Sequence, residues 1–128
     1  MKLAVVGSRG FPDRNEVRRY LNNLDGGGIV SNIGQIISGG AAGPDTWAQE
    51  WAKENGIPFM LYPAQWDLYG KRAGAIRNDM IVKAADWVTA FWDGVSPGTR
   101  ITIDLALKHK KRLTVIFPEA RPPARTEE

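Results

Sequence analysis

Five short apolar runs alternate with stretches of helical spacing along this chain, and this alternation limits the possible folds more than any other feature. The runs lie at residues 3–6, 33–37, 59–62, 87–92 and 113–117. A short, continuously apolar run is typical of a strand that is covered on both faces. Strands that alternate with helices predict a parallel sheet with helices on both sides. We therefore expect a single Rossmann-like, three-layer α/β domain with about five parallel strands, in the order 3-2-1-4-5.

The segments between the runs indicate helices, and the last segment indicates a domain boundary. One helix is expected over residues 73–84 with Ile76, Met80 and Ala84 on its apolar stripe, and the segment before it is expected to be a loop. The domain is predicted to cover residues 1–117. Residues 118–128 are rich in proline, arginine and glutamate, and we expect them to form a disordered tail.

The composition excludes several classes of function. The chain has no cysteine, which excludes disulfides, iron–sulfur clusters and thiol catalysis. The single histidine, His109, excludes a histidine-rich metal site, so we predict neither a metal nor a cofactor. The net charge of +3 permits an anionic ligand without demanding nucleic acid. Since there is no run of about 18 apolar residues and no leader pattern, we expect no membrane partner and a cytoplasmic location.

Turns of small residues follow three of the predicted strands, at residues 7–10, 38–45 and 93–99. In open parallel sheets, ligands bind beyond the carboxyl ends of the strands, where the strand order reverses. Glycines let the backbone approach a phosphate closely, and the following helix supplies free N–H groups and the positive end of its dipole. These turns therefore predict a site for a phosphorylated, nucleotide-like ligand.

The expected ligand-binding residues combine these turns with cations from the segment after the third strand. They are Gly7, Ser8, Arg9, Ser38, Gly39, Gly40, Gly43, Asp45, Lys71, Arg77, Asn78, Ser96, Gly98 and Thr99. Two of them have an equally simple structural interpretation. Asp45 would interact favourably with the dipole of the helix that it begins, and Arg77 would be a solvated residue beside an apolar stripe.

Tryptophan is unusually frequent, with five in 128 residues. Trp66 and Tyr69 precede the cationic pair at residues 71–72, and Trp92 ends the fourth predicted strand. These three are candidates for stacking on a base, because aromatic rings offer flat surfaces. Of the other tryptophans, Trp87 is expected in the core, and Trp47 and Trp51 are expected in the core or at a subunit contact.

Neither the dinucleotide-binding pattern G-x-G-x-x-G nor a P-loop is present. Instead, four motifs in order resemble the SLOG superfamily, and most closely its YspA/YpsA-related branch. They are Gly7-Ser8-Arg9, Ser38-Gly39-Gly40-Ala41-x-Gly43-x-Asp45, Gly70-Lys71-x-Ala73-Gly74-x-x-Arg77-Asn78 and Ser96-x-Gly98-Thr99. The resemblance implies a Rossmann-like fold that binds nucleotides, nucleotide-derived signals or single-stranded DNA.

The same superfamily includes the lonely-guy phosphoribohydrolases, whose motif P-G-G-x-G-T-x-x-E supplies phosphate-binding glycines and a catalytic glutamate. Gly98 and Thr99 match this motif, but the glutamate position falls on Thr102, which cannot act as a carboxylate base. Arg77 matches the family's arginine and would be the catalytic residue if the protein is an enzyme. The resemblance thus implies a retained phosphate site and leaves the hydrolysis in doubt.

Three hypotheses follow. The first is a sensor or processing domain whose partner is a nucleotide-derived small molecule, such as an ADP-ribose-like or cyclic species, in a homo-oligomer. The second is a phosphoribohydrolase in which Asp45 or Asp93 supplies the missing carboxylate. The third is binding of single-stranded nucleic acid, because residues 38–48 resemble the turn of the superfamily's DNA-processing branch. The third is not favoured, since no basic stripe with interleaved aromatic residues is evident.

Overall fold

A parallel sheet of five strands, in the order β3-β2-β1-β4-β5, forms the centre of the fold. The strands are β1 (Lys2–Gly7), β2 (Gln35–Ser38), β3 (Phe59–Leu61), β4 (Trp87–Phe91) and β5 (Arg112–Ile116). This computed structural model describes residues 1–26 and 33–119, so residues 120–128 of the predicted tail lie outside the described part. The predicted α/β fold and strand order are confirmed.

Helices cover both faces of the sheet. They are α1 (Arg14–Gly26), α2 (Pro44–Glu54), α3 (Trp66–Tyr69), α4 (Ala73–Ala84) and α5 (Pro97–Lys108), with a 3₁₀ turn at Gly70–Arg72. Helices α1 and α2 pack together over one face, and α4 and α5 pack together over the other. The reversal of strand order therefore lies between β1 and β4, and the loops after these strands meet at one edge of the sheet.

The side chains of β1 show why its sequence is apolar throughout. Leu3 and Val5 lie in the core with α1 and α2, whereas Ala4 and Val6 lie in the core with α4 and α5. Successive side chains of a strand point to opposite faces, so a strand with helices on both sides has no face for polar residues. Leu3, Ala4 and Val5 are completely buried.

The core also contains the tryptophans that the sequence assigns to it. Trp51 and Trp87 are buried, and Trp47 packs against the same cluster. The indole N–H of Trp51 donates to Asn22 Oδ1 at 2.8 Å, and that of Trp87 donates to Thr114 Oγ1 at 3.0 Å. Both rings can therefore be buried without leaving an unsatisfied donor.

Two expectations about the region around α4 are wrong. The predicted apolar stripe fails at Met80, which is 48% exposed, because α4 directs Ile81 and Val82 at the sheet instead. The expected loop before α4 contains α3 and the 3₁₀ turn. A helix of four residues is too short to leave a periodic apolar pattern, so the sequence carried no signal for it.

Candidate functional site

A cavity of about 300 Å³ opens at the carboxyl ends of β1 and β4, where the strand order reverses. Four segments supply its walls: the loop after β1, the loop before α2, the middle of α4 and the first turns of α5. The residues that line it are Val6, Gly7, Ser8, Arg9, Gly10, Ala41, Asp45, Arg77, Asn78, Ser96, Gly98, Thr99 and Thr102. We call it the edge cavity. Of the predicted site residues, Ser38, Gly39, Gly40, Gly43 and Lys71 are not among those that line it.

Two buried hydroxyl groups lie at the base of the edge cavity. The oxygens of Ser8 and Thr99 are 3.2 Å apart, and Ser8 Oγ also accepts the N–H of Asp93 at 3.2 Å. Each hydroxyl has one proton, and the bond between the two uses only one of them. Together with the Ser96 hydroxyl, the Ser8 hydroxyl is also among the groups whose hydrogen bonds lower the pKa of Asp93, so the pair supports the turn before α5 as well as lining the cavity.

The first turn of α5 presents backbone donors to the same cavity. Gly98 and Thr99 occupy this turn, after Pro97, and no side chain caps it. The first amides of a helix have no acceptor within the helix, and those of Gly98 and Thr99 have no hydrogen-bond partner elsewhere in the described residues, so they can bind an anion. A Cβ on Gly98 would find no atom within 4 Å, so this stretch of backbone faces open space.

Asp93 holds the turn that positions this end of α5. Its Oδ1 accepts the N–H groups of Val95 and Ser96 at 2.9 and 2.8 Å, and its Oδ2 accepts the Ser96 hydroxyl at 2.6 Å. The Ser96 hydroxyl, followed by these two amides, lowers the pKa of Asp93 to about 2. Because its hydroxyl is engaged, Ser96 supports the turn although it lines the cavity.

Asp45 is the one carboxylate among the described residues that line the edge cavity. It is buried, and its Oδ2 accepts the N–H of Gly39 at 3.1 Å. Burial raises the pKa of Asp45, while hydrogen bonds from Ser38 and Gly39 and the charge of Arg77 oppose part of this rise. Asp45 therefore holds the loop after β2 in place, in addition to any interaction with the dipole of α2.

Arg77 reaches across from α4 to the loop after β2. Its Nη1 donates to the carbonyl oxygen of Gly39 at 2.8 Å, and its Nε donates to Asn78 Oδ1 at 2.8 Å. These two bonds fix the guanidinium plane and leave Nη2 without a partner in the part of the chain that the structure describes. Arg77 is therefore not merely a solvated residue beside an apolar stripe. It is a cation held in a fixed position at the wall of the edge cavity. Arg9, by contrast, is exposed at the cavity mouth.

Two of the glycines that the sequence predicts to bind phosphate allow the loops around the edge cavity to pack closely against one another. A Cβ on Gly7 would lie 2.7 Å from Pro44 Cβ and 2.8 Å from the carbonyl oxygen of Phe91, so a side chain there would push the loops apart. Gly43 has φ +89°, which disfavours any other residue, and a Cβ there would lie 3.0 Å from the carbonyl oxygen of Ser8. Both glycines bring the loops around the edge cavity together.

The structure separates the three aromatic stacking candidates. Trp92 donates its indole N–H to the carbonyl oxygen of Ser96 at 3.0 Å and packs on Phe117, so it braces the turn from outside the edge cavity. Trp66 is 59% exposed and lines a shallow depression formed by its own neighbours. Tyr69 lines a second cavity, to which Arg77 also belongs. Sequence reasoning named Tyr69 and Arg77 but missed that they share a cavity, because other large side chains that line it, such as Leu61 and Tyr62, belong to no motif.

Away from the edge cavity, three carboxylates lie within 4.8 Å of one another, on Asp13, Glu16 and Glu119. Asp13 Oδ1 accepts the N–H groups of Asn15 and Glu16 at 2.9 and 3.3 Å at the start of α1. Glu16 accepts the N–H of Glu119 at 3.3 Å, and Glu119 lies 3.8 Å from Arg19. These bonds attach Glu119, which follows β5, to helix α1.

No helix in the described ranges is long and apolar enough to cross a membrane.

Comparison with known proteins identifies the family. The profile of the YspA, cpYpsA-related SLOG family matches residues 1–69. This chain belongs to that family. It is also 35% identical over 108 residues to the Gene 61 protein of Mycobacterium phage D29, an alignment that covers 77% of this chain and 82% of the phage protein.

Solved structures with less sequence similarity share this fold. DNA processing protein A from Streptococcus pneumoniae matches 95% of this chain with a TM-score of 0.76 and 21% identity. This chain spans 52% of that protein, about half its length. The Helicobacter pylori protein of the same name, described as binding single-stranded DNA, matches all of this chain with a TM-score of 0.68 and 22% identity, over 67% of its own length. The molybdenum cofactor carrier protein of Chlamydomonas reinhardtii matches 89% with a TM-score of 0.63 and 20% identity, over 75% of its length.

Proposed function

We propose that the edge cavity binds the phosphate of a nucleotide or nucleotide-derived ligand, so that this SLOG protein acts as a sensor or processing domain. The observation that carries the proposal is the shared position of two kinds of anion-binding group. The free amides of Gly98 and Thr99 line the same cavity as Arg9 and Arg77. A helix N-terminus favours an anion, and an arginine donates charge-assisted hydrogen bonds to phosphate. Nη2 of Arg77 is available for such bonds, since it has no partner within the described residues.

The charges around the cavity are consistent with this ligand. Two arginines line it, and the single carboxylate among the described lining residues, Asp45, has a raised pKa. A phosphate ester near neutral pH carries a charge of about −1.5 to −2. The buried hydroxyls of Ser8 and Thr99 add polar groups to the cavity wall. The amides of Gly98 and Thr99 are held by α5, and preorganised donors of this kind lose little conformational freedom when an anion binds.

Calorimetric titration with nucleoside monophosphates, ADP-ribose and cyclic nucleotides tests the proposal. We expect at least one to bind, and we expect Arg77→Ala to weaken its binding about tenfold or more, because a charge-assisted pair is lost. Arg100→Ala is the matched control, since Arg100 is exposed on α5 and does not line the cavity. Equal affinity for the corresponding unphosphorylated nucleoside would contradict the proposal, as would unchanged affinity in Arg77→Ala.

Hydrolysis of the N-glycosidic bond is a second candidate, and Asp45 is the residue that favours it. A buried carboxyl group in a cavity is suited to proton transfer when burial raises its pKa, as it does for Asp45, because its protonated form is then favoured. Thr102 lines the same cavity but offers no carboxylate. Release of free base from nucleoside monophosphates would support this candidate if Asp45→Asn abolished it while ligand binding persisted. Absence of release over the whole panel would exclude it.

Binding of single-stranded nucleic acid is favoured by a different surface. Trp66 and Tyr69 are 59% and 43% exposed, and the exposed cations Lys71 and Arg72 follow them. Exposed rings beside cations are typical of single-strand binding surfaces. Mobility shift of an oligothymidylate should weaken steeply as salt rises if phosphates drive the binding. Lack of any shift at low salt would exclude this candidate and leave the mononucleotide proposal intact.

A further inference from the structure

The second cavity, which we call the apolar cavity, also measures about 300 Å³ and shares Arg77 with the edge cavity. It lies between the end of β3, helix α3 and one face of α4. Aromatic and aliphatic side chains form its walls, including Leu61, Tyr62, Tyr69, Ile76 and Met80. Apolar walls with a few polar groups are typical of sites that hold the flat part of a small ligand.

The polar groups of the apolar cavity are few and suit a heterocycle. Arg77 is the one charged residue among the described residues that line it, and Gln65 adds an amide. An amide can donate to and accept from the edge of a base. A guanidinium can stack on an aromatic face while it pairs with an anion, so Arg77 is suited to lie between a base and a phosphate.

The glycine pair 39–40 contacts residues at the place where the edge cavity and the apolar cavity meet. Neither glycine is among the residues that line the edge cavity, although the sequence predicted both as phosphate-binding. A Cβ on Gly39 would collide with Nη1 of Arg77, and a Cβ on Gly40 would lie 2.7 Å from Leu61 Cδ1. The bare backbone therefore makes room for Arg77, which is shared by the two cavities, and for Leu61, which lines the apolar cavity.

We propose that the apolar cavity receives the heterocyclic base of the same ligand whose phosphate occupies the edge cavity, with Arg77 in contact with both groups. This inference rests on the proposed function, and it adds a base subsite to the phosphate site. The rings of Tyr62 and Tyr69 provide the stacking surfaces, while Ile76 and Met80 exclude water from one side. Tyr69 thus contacts the base, whereas Trp66 and Trp92 do not.

Titration with ribose 5-phosphate and with the four common nucleoside monophosphates separates the two subsites. The unaltered protein should bind at least one nucleotide about tenfold or more tightly than ribose 5-phosphate, as expected for stacking of one base. Tyr69→Ala should remove most of this difference and leave the affinity for ribose 5-phosphate unchanged. Tyr69→Phe, which keeps the ring, should retain the difference. Leu68→Ala is the matched control, because Leu68 is 66% exposed next to Tyr69 and does not line the apolar cavity.

A second variant tests the cavity by filling it. Met80 is 48% exposed, so Met80→Trp should fold normally and should weaken nucleotide binding as Tyr69→Ala does. Nucleotide affinity unchanged in both variants would overturn the base subsite, as would equal loss for nucleotide and ribose 5-phosphate. A change of oligomeric mass in Met80→Trp, with unchanged affinity, would overturn it in favour of a second protein chain on this surface. If neither probe binds the unaltered protein, the proposed function fails as well.

Discussion

At the scale of single residues, Asp93 determines the shape of the turn before α5. Its carboxylate accepts three hydrogen bonds from Val95 and Ser96, and its pKa is lowered from 3.8 to about 2. A carboxyl group with a lowered pKa in the folded state stabilises that state at pH values above its unfolded pKa. This contribution is complete above about pH 4 and is lost as the pH falls towards about 2.

We therefore expect Asp93→Asn to be less stable than the unaltered protein at pH 7, and the difference to shrink between about pH 4 and about pH 2. Urea unfolding at a series of pH values measures this. Asp104→Asn is the control, since Asp104 is exposed and makes no hydrogen bond within the described residues. A difference in the free energy of unfolding that stays constant from pH 7 to pH 2 would show that Asp93 acts through packing alone.

Gly98 allows stability and binding to be separated at a single position. It lies in the first turn of α5, where a Cβ would meet no atom within 4 Å. Gly98→Ala should stabilise the protein by about 0.5–1 kcal/mol, because alanine loses less backbone entropy in a helix. The added methyl group would occupy the face that a phosphate approaches, so affinity for the best nucleotide should fall about tenfold or more.

Gly74→Ala is the control for this substitution. Gly74 lies in α4 outside the edge cavity, and a Cβ there would make an ordinary 3.6 Å contact with Trp66. It should leave nucleotide affinity unchanged. If Gly98→Ala binds nucleotides as well as the unaltered protein does, the first turn of α5 is not in contact with the phosphate.

At the scale of elements, the orientation of α4 decides which of its residues build the core and which build the ligand site. Ile81 is completely buried against the sheet, while its neighbour Met80 is 48% exposed at the apolar cavity. Ile81→Ala should lower the free energy of unfolding by about 2–5 kcal/mol, since it leaves a cavity in the core. Met80→Ala should change it by about 0.5 kcal/mol or less. Urea unfolding of the two variants checks this, and similar losses would contradict the observed orientation.

The short helix α3 has no recognisable sequence pattern, and its importance comes from its position in the fold. Its four residues, Trp66–Tyr69, are all exposed, so no apolar stripe marks them in the sequence. Yet α3 brings Tyr69 to the cavity that contains Arg77. The position of Tyr69 depends on where β3 ends and where α4 begins, because these two elements fix the place of α3. The composition of the segment does not reveal this position.

At the scale of the whole molecule, all five strands and both core clusters lie within residues 1–26 and 33–119. Glu119, which the sequence assigns to the tail, contacts Glu16 and Arg19 of α1. We predict that a chain that ends at residue 119 keeps its core and unfolds cooperatively, with a midpoint within about 2 °C of the unaltered chain. Differential scanning calorimetry measures this, and a large fall in the midpoint would show that residues 120–128 stabilise the domain.

The oligomeric state is also a property of the whole molecule, and the homo-oligomer stays a prediction. Several apolar side chains near β3 are partly exposed, among them Met60 and Leu61, each 44% exposed. Apolar patches of this kind occur at subunit interfaces and at ligand sites alike. Light scattering with and without a bound nucleotide would measure the mass of the particle and would show whether a ligand changes it.

Local patterns in the chain were sufficient to predict the layered α/β fold and the strand order, and they pointed to the edge of the sheet at which the edge cavity lies. Strand burial, helix periodicity and small-residue turns are properties of neighbouring residues, and parallel topology then restricts where these turns meet. For this reason Ser8, Arg77, Gly98 and Thr99 could be placed at one site before any contact was known.

Only the tertiary structure decided which of these groups are free and which are already engaged. The Ser96 hydroxyl donates to Asp93, and Arg77 donates to the carbonyl oxygen of Gly39, 38 residues away along the chain. Tyr69 and Arg77 share a cavity with Leu61 and Met80, which belong to no motif. Such contacts depend on the rotation of each helix and on the close approach of backbones at glycines. These are set by packing between segments far apart in the chain, which local patterns do not record.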